Sequence, residues 1–216
     1  MTPRAKICGI STFDALSAAI DGGADYIGLV FFAKSPRNVS LQTAADIAEA
    51  ARGKTKIVAL TVNADDGLLA SIHQSVKPDY FQLHGDESPK RVADIKARFG
   101  LPIIKAIPVE TRADVMGSEG FVGIADIILF DAKAPPDAEL PGGNGLSFDW
   151  SALDGVSEKF DFMLSGGLTP DNVQNAMAQT GATAVDVSSG VETKPGQKDT
   201  ELIRRFLHAV KTGKQA

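Results

Sequence analysis

Short apolar runs recur along this chain at nearly regular intervals, and this recurrence most limits the fold that it can adopt. Each run is continuous and does not alternate apolar with polar residues. The runs cover residues 5–8, 26–32, 56–62, 80–83, 103–107, 127–130, 160–164 and 184–187. Continuous apolar runs are typical of parallel strands that are covered on both faces. The sequence therefore predicts a parallel sheet whose strands are joined by crossover segments.

Alanine-rich stretches lie between these runs, and their apolar residues recur at the spacing of an amphipathic helix. The stretches include residues 12–20, 41–51 and 89–99. Thr12 begins the first stretch and Ser40 precedes the second, and both are residue types that favour the N-cap position. Pro170 stands where we expect the first residue of a later helix, since proline is tolerated there. Strands and helices are therefore predicted to alternate.

The number of repeats favours one architecture. About eight β/α units of roughly 25 residues each predict a closed (β/α)8 barrel. An open doubly wound sheet is the alternative, but no Gly-x-Gly-x-x-Gly fingerprint follows the first apolar run. We therefore expect residues 1–216 to form a single domain of the α/β class, a (β/α)8 TIM barrel. Catalytic groups in such barrels lie at the C-terminal ends of the strands.

Composition excludes several classes of partner. The net charge is −5 and the chain has no basic stripe, which argues against nucleic-acid binding. Every apolar run is far shorter than the roughly 20 residues of a membrane-spanning helix, and residues 1–6 are too short and polar to begin a secretion signal. The single cysteine cannot form an internal disulfide, which suits a reducing compartment. We expect a cytoplasmic protein with neither nucleic acid nor membrane as a partner.

Two reactive side chains lie where apolar runs end. Cys8 ends the first run, and Asp131 follows the sixth. In a shared sheet, one of these groups could accept a proton while the other donates one. The alternatives are ordinary: Cys8 could be a small buried apolar residue, and Asp131 could cap a loop or a helix. The sequence predicts a general acid–base pair at these two positions.

Three glycine-bearing turns lie in the last three units. Glycine adopts positive φ and lets backbone N–H groups converge on an anion, and the turns after strands seven and eight of a barrel often hold phosphate. The candidate phosphate-binding residues are Gly143, Asn144, Gly145, Gly166, Gly167, Ser188, Ser189 and Gly190. Each turn alone could be a simple connection, but their combination at matching loops predicts a phosphate site.

Other strand exits carry polar side chains. Arg37 follows the second run, and its planar fork suits a carboxylate ligand, with a surface ion pair as the alternative. His84 follows the fourth run, where it is compatible with a structural role. The other two histidines lie on predicted helices, so we expect no metal site. Residues 132–147 exceed the usual length of an unstructured loop and are a candidate lid.

Seven motifs together resemble a known family. In order they are Lys6-Ile7-Cys8-Gly9, Ser35-Pro36-Arg37, Gln82-Leu83-His84-Gly85-Asp86-Glu87, Phe130-Asp131, Gly142-Gly143-Asn144-Gly145 with Phe148-Asp149-Trp150, Ser165-Gly166-Gly167-Leu168, and Asp186-Val187-Ser188-Ser189-Gly190-Val191-Glu192. From Lys6 to Leu207 the chain resembles the phosphoribosylanthranilate isomerases of tryptophan biosynthesis. Asn144 departs from the family, which usually has a threonine or a serine there. The resemblance implies a (β/α)8 barrel that needs no cofactor, binds a small phosphorylated substrate, and is a monomer or a homodimer.

The resemblance also implies a reaction, the Amadori rearrangement of an aminoaldose phosphate to an aminoketose phosphate. Asp131 would protonate the furanose ring oxygen as general acid, and Cys8 would remove a proton from the second sugar carbon as general base. Arg37 would bind the anthranilate end of the substrate with a contribution from Asp186, and His84 would be a further substrate-binding residue. An ordinary thiol has a pKa of about 8.5, so we expect the pKa of Cys8 to be lowered or the substrate to assist ionisation.

Rival functions on the same fold make different demands. A metal-dependent epimerase needs two histidines and two acidic groups at one metal, and an indole-forming synthase needs lysine and glutamate at strand exits. Lys105 is the lysine nearest a strand exit, and we expect it to lack a glutamate partner. An isomerase of the related bisphosphorylated aminoaldose in histidine biosynthesis stays open, although the first half of this chain has no matching glycine cradle. A non-catalytic phosphosugar-binding barrel is the remaining alternative.

Overall fold

The predicted barrel is confirmed. A computed structural model describes residues 3–135, 137–138, 140–159 and 161–213, and its central feature is a closed ring of eight parallel strands in chain order. The strands are β1 (Arg4–Cys8), β2 (Tyr26–Phe31), β3 (Lys56–Thr61), β4 (Tyr80–Leu83), β5 (Ile103–Val109), β6 (Ile127–Ala132), β7 (Phe162–Leu164) and β8 (Ala184–Val187). The first and last strands pair in parallel, with Ala5 opposite Val185, and this pairing closes the ring.

Helices surround this ring. They are α1 (Phe13–Asp21), α2 (Leu41–Ala51), α3 (Asp66–Val76), α4 (Pro89–Phe99), α5 (Arg112–Gly117), α6 (Val173–Thr180) and α7 (Thr200–Thr212). A two-stranded antiparallel ribbon, β9 (Glu192–Lys194) and β10 (Gln197–Lys198), lies between β8 and α7. Over the ranges that the structure describes, no helix is both long enough and apolar enough to cross a membrane.

The sixth unit departs from the alternation of strands and α-helices. The described residues between β6 and β7 contain a short 3-10 helix, Trp150–Leu153, in place of an α-helix. Asp149 caps this turn by accepting a hydrogen bond from the Ser151 N–H at 3.0 Å. A 3-10 helix rarely extends beyond a turn because its hydrogen-bond geometry is poorer than that of an α-helix.

Sequence signals placed most helix starts correctly. Thr12 and Ser40 cap α1 and α2, and each accepts a hydrogen bond from a backbone N–H three residues ahead. The prediction for Pro170 is wrong, because α6 begins at Val173 and Pro170 lies in the preceding turn. The Asn172 side chain closes that turn by accepting from the Thr169 N–H at 2.8 Å.

Most predicted strand limits agree with the structure to within two residues. The runs at 26–32 and 56–62 end one residue earlier than expected, whereas β5 and β6 extend two residues further. The seventh run was expected to begin at Phe160, which lies outside the described residues, and β7 begins at Phe162. The predicted lid at 132–147 includes Pro136 and Glu139, which also lie outside them.

Strand alternation sorts side chains between two cores. Outward residues such as Ile7 and Phe130 pack in the large cluster beneath the helices, whereas inward residues such as Ile104 and Leu129 fill the barrel interior. Successive strand residues point to opposite faces. Ile7 points outward, so the next residue, Cys8, points inward. Leu129 points inward, and so does Asp131, two residues later. Both predicted reactive groups therefore face the interior at the C-terminal end of the barrel.

Candidate active site

A cavity opens at the C-terminal end of the barrel, where barrel enzymes place their active sites. Every predicted site residue except Gly190 lines the cavity. Apolar side chains complete its wall, namely Val30, Phe32, Leu60, Val62, Leu140, Leu146 and Leu168. The cavity therefore combines an apolar surface with a few converging polar groups.

Asp131 forms one side of this cavity at the end of β6. It is 5% exposed, and its Oδ1 accepts a hydrogen bond from the Ala132 N–H at 3.0 Å. Its Oδ2 lies 3.2 Å from Nε2 of His84. The buried Gln82 amide is 3.1 Å from Nδ1 of the same ring, and this contact orients the imidazole toward the carboxyl. His84 is thus more than a structural residue of the loop, because it directly contacts Asp131.

Cys8 forms another side of the cavity, above a buried ion pair. Lys6, two residues earlier on β1, is fully buried and donates to Asp186 Oδ1 at 3.0 Å. Gly28 of the neighbouring strand leaves space for both groups, since a Cβ there would lie 2.9 Å from Cys8 Sγ and 3.1 Å from Lys6 Nζ. The thiol and the ammonium therefore converge on one point.

The surroundings of Cys8 oppose ionisation, contrary to one expectation from the sequence. Burial raises the pKa of the Cys8 thiol, and the nearby ammonium groups of Lys6 and Lys198 counteract burial only in part. The Asp186 carboxylate acts in the same direction as burial. Burial also disfavours the charged form of Lys6, but Asp186 and the thiol outweigh it and raise the Lys6 pKa. A cation therefore lies beside the thiol.

Asp186 was expected to contact the substrate, and it does line the cavity. Its carboxylate is already engaged, however. Oδ1 accepts from Lys6, and the Ser165 hydroxyl lies 3.5 Å from Oδ2. Asp186 thus serves first as the counter-ion of a buried lysine.

Arg37 lines the cavity after β2 and is 5% exposed. Its Nε and Nη2 donate to the two carboxylate oxygens of Glu192 at 2.8 Å each. Nη2 also donates to the Gly143 carbonyl at 3.1 Å. Gly9, at φ +82°, gives the arginine room, because a Cβ there would lie 2.8 Å from Arg37 Cδ. The alternative of a surface ion pair is wrong, since this ion pair is buried.

The turn at residues 142–145 contacts two parts of the cavity, the Asp131–His84 pair and the Arg37 guanidinium. A side chain on Gly142 would collide with Asp131 and lie 2.7 Å from His84 Nε2. One on Gly143 would lie 2.7 Å from Arg37 Nη1. Asn144 donates from its amide to the Leu140 carbonyl within the same turn. The first two glycines therefore cover the acid and the guanidinium.

The other end of the cavity brings the remaining glycine turns together. Gly145 lies beside Ser189, and Gly167, at φ +64°, packs against the Leu146 carbonyl. Ser189 and Gly190 begin a 3-10 turn, Ser189–Val191, whose first N–H groups have no intrahelical acceptor. Within the described residues, the N–H groups of Gly167, Ser189 and Gly190 make no hydrogen bond. These donors lie together, although Gly190 itself stands behind the cavity wall, against Leu168.

Comparison with known proteins identifies the family. Residues 5–209 match the family model of N-(5'-phosphoribosyl)anthranilate isomerase. The chain belongs to this isomerase family. The isomerase of Rhodopseudomonas palustris (strain BisA53) is 55% identical over 206 residues, which cover 95% of this chain and 94% of the relative. These matches confirm the resemblance that the motifs indicated.

Solved isomerase structures have the same fold. The enzyme of Thermotoga maritima, studied as monomers generated from a dimer, is 32% identical and superposes with a TM-score of 0.84. An isomerase in complex with reduced 1-(o-carboxyphenylamino)-1-deoxyribulose 5-phosphate is also 32% identical, with a TM-score of 0.84. Each comparison covers 97% of this chain and 98% of the other.

Besides Lys6, sequence reasoning missed two further charged residues around this isomerase's site. Glu192 is held between Arg37 and Lys198, whose Nζ donates to Glu192 Oε1 at 2.7 Å. Lys198 also donates to the Ser188 carbonyl at 2.8 Å. Burial lowers the pKa of Lys198 despite the attraction of Glu192. Burial would raise the pKa of Glu192, but hydrogen bonds from Arg37 and Lys198 lower it overall. Only Glu192 had a sequence signal, as the last residue of the seventh motif.

The expectation that Lys105 lacks a glutamate partner is wrong. Lys105 Nζ lies 2.9 Å from Glu87 Oε2 and donates to the Gly85 carbonyl at 2.6 Å. Its strand neighbours Ile104 and Ala106 face the barrel interior, so Lys105 points outward, toward the helices. The pair therefore supports the loop that carries His84 and does not line the cavity. Across the part of the chain that the structure describes, no three His, Cys, Asp or Glu residues are grouped to hold a metal.

Proposed function

We propose that Asp131 and Cys8 are the general acid and the general base of the isomerase reaction. The chain is a phosphoribosylanthranilate isomerase of tryptophan biosynthesis by family membership. One observation carries the assignment of roles: a carboxyl at the end of β6 and a thiol at the end of β1 face one apolar-walled cavity. Such a pair supplies both proton transfers of an aldose–ketose isomerisation without a cofactor.

The reaction then proceeds in two stages. Asp131 donates its proton to the furanose ring oxygen, the bond from that oxygen to the first sugar carbon breaks, and the nitrogen lone pair forms a Schiff base. Cys8, as thiolate, removes a proton from the second carbon, and the electron pair of that C–H bond neutralises the Schiff base to an enolamine. Tautomerisation, with protonation at the first carbon, yields 1-(2-carboxyphenylamino)-1-deoxyribulose 5-phosphate. His84, 3.2 Å from the carboxyl, orients Asp131 and lines the sugar position.

The two ends of the substrate occupy different parts of the cavity in this proposal. Arg37 binds the anthranilate carboxylate, because a guanidinium fork matches a carboxylate. The apolar wall covers the aromatic ring. The donors near Gly167 and Ser189 hold the phosphate. The isomerase complex with a reduced product compound supports a ligand that carries both anionic ends. Binding at both ends aligns the sugar between acid and base.

The substitutions Asp131→Asn and Cys8→Ala test the assignment. We expect each to lower kcat by roughly 10²- to 10⁴-fold, the usual contribution of one general acid or base. Affinity for the reduced product compound should stay within about threefold, since each change removes a reactive group and no charged ligand contact. Steady-state kinetics and calorimetric titration measure the two quantities.

Asp126→Asn is the matched control, because Asp126 precedes the same strand at the opposite end of the barrel and pairs with Lys96 at 2.9 Å. Its kcat should equal that of the wild type. Full turnover by Cys8→Ala would assign the base to another residue. Turnover of the bisphosphorylated histidine-pathway aminoaldose, measured in parallel, decides whether both reactions are catalysed. An inactive wild-type chain that binds substrate would leave only the phosphosugar-binding alternative.

We further propose that the enzyme works in the cytoplasm as a monomer or a homodimer. Its base is a free thiol, which a reducing compartment protects.

A further inference from the structure

Glu192 is a charged residue of the site to which the reaction assigns no task. Its side chain is 3% exposed and does not line the cavity. It lies behind Arg37 and is fixed on three sides, by Arg37, by Lys198 at 2.7 Å and by the Gly196 N–H at 3.2 Å. A carboxylate this completely engaged is part of a built arrangement.

We propose that Glu192 is a positioning residue that orients Arg37 toward the substrate carboxylate and thereby sets specificity for that end of the substrate. This inference rests on the proposed assignment of Arg37 to the anthranilate carboxylate.

The hydrogen-bond pattern of Arg37 carries the argument. Nε and Nη2 both donate to Glu192, so the guanidinium is held at two points and cannot rotate freely. Nη1 makes no hydrogen bond among the described residues, and it faces the turn at Gly143, on the cavity wall. Glu192 thus occupies the Nε–Nη2 edge of the fork, and Nη2 also donates to the Gly143 carbonyl, so Nη1 is the donor that is left for a ligand. Because the glutamate stands outside the cavity wall, it does not occupy the position of the substrate carboxylate.

The charge balance points the same way. Arg37 and Lys198 carry two positive charges, and Glu192 supplies one negative charge between them. The lowered Glu192 pKa agrees with an ionised carboxylate. While Cys8 is a neutral thiol, one positive charge among these three side chains remains uncompensated, and a substrate carboxylate would neutralise it. A buried charge favours an oppositely charged ligand more strongly than an exposed one does.

The test uses two probes that separate the ends of the substrate. We expect Glu192→Gln to weaken binding of the reduced product compound about tenfold, the effect typical of losing a hydrogen bond to a charged group. Inorganic phosphate should bind as in the wild type. KM should rise in parallel while kcat stays within about twofold, since the reacting groups are untouched. In an Arg37→Ala background, Glu192→Gln should cause no further loss, because the residue through which it acts is gone.

Four outcomes would overturn the inference. An equal loss of phosphate affinity would show that Glu192 supports the phosphate turn through Lys198. Equal losses in both backgrounds would show that it acts independently of Arg37. Wild-type binding by Glu192→Gln, with weakened binding by Arg37→Ala, would refute the role of Glu192 alone. Unchanged binding by Arg37→Ala would refute the assignment of Arg37 itself, and the inference with it. Glu192→Asp, which retains the charge but withdraws the carboxylate by one methylene, replaces the glutamine variant if that variant fails to fold.

Discussion

At Cys8 the structure sets burial against charge. A thiolate is needed to remove a proton from carbon, yet a buried thiol resists losing its own. Lys6 lies fully buried below it and stabilises the ionised form, whereas Asp186 opposes that form. The balance of this pair therefore sets the fraction of active base at a given pH.

The pair predicts two pH shifts of opposite sign. Because the Cys8 pKa is raised, the thiolate population, and with it kcat/KM, should still be rising at pH values above the ordinary thiol pKa. Lys6→Met removes a cation, so the pKa of Cys8 should rise and the profile should move to higher pH. Asp186→Asn removes an anion, so the pKa should fall and the profile should move to lower pH. The alkylation rate of Cys8, measured against pH, reports the thiolate directly, since the chain has no other cysteine.

Cys8→Ser provides the blank for this labelling experiment. Shifts of the same sign in both variants would mean that the ion pair acts through packing and not through charge.

Sequence reasoning found the side chains that follow strands directly. Cys8 and Asp131 were predictable because the end of an apolar run fixes where a barrel strand presents its last inward residue. Lys6 was overlooked as a charged residue inside an apolar run. Its burial depends on Asp186, 180 residues away, and a local pattern cannot report such a partner. Lys198 was missed because it lies on the β9–β10 hairpin, beyond the last barrel strand, and this hairpin returns it to Ser188 and Glu192.

At the scale of elements, the loops after β6, β7 and β8 interlock through glycine. Gly166 has φ +90°, and a Cβ on it would lie only 2.6 Å from the Ala132 backbone nitrogen. Gly190 stands against the Leu168 carbonyl so closely that any side chain would collide with it. These contacts fix the relative position of the turns that present free N–H groups.

Gly190→Ala should therefore weaken phosphate binding. The added methyl must displace the backbone near Leu168, which moves the Ser189–Val191 turn and its donors. We expect a loss of about 1–3 kcal/mol in the free energy of unfolding, typical of overpacking, together with lower affinity for inorganic phosphate. Urea denaturation and calorimetric titration measure these effects.

Gly117→Ala is the control, since a Cβ at that glycine meets nothing within 4 Å. It should change stability by at most about 0.5 kcal/mol and leave phosphate affinity unchanged. Normal phosphate binding by Gly190→Ala would remove this turn from the proposed phosphate site.

Element boundaries show where periodicity stops being informative. The amphipathic stretches at 41–51 and 89–99 became helices with those limits because cap and apolar face agree. The predicted start of α6 is wrong, since Pro170 is equally compatible with a turn, and the hydrogen bond from the Thr169 N–H to the Asn172 side chain favours the turn. The 3-10 turn of the sixth unit has too few residues for a period to be visible.

For the whole molecule, the ring closes where the two ends of the chain meet. β1 pairs with β8, and α7 packs beside α1, where Gly22 leaves room for Leu207. The barrel was predictable because each local pattern agreed with the same global arrangement. Ring closure also means that each β/α unit packs against neighbours on both sides, so we expect the whole barrel to unfold in one cooperative transition.

Phe206→Ala tests that cooperativity at the closing helix. Phe206 is fully buried on α7, and its removal should lower the free energy of unfolding by about 3–5 kcal/mol. In two-state unfolding, the fluorescence of Trp150, in the 3-10 turn of the sixth unit, and far-ultraviolet circular dichroism should shift together. Phe13→Ala is the matched control, because Phe13 is 56% exposed and its loss should change stability by at most about 0.5 kcal/mol. If the dichroism shifted while the Trp150 transition stayed at its wild-type midpoint, α7 would unfold on its own, and ring closure would not couple the ends to the rest of the barrel.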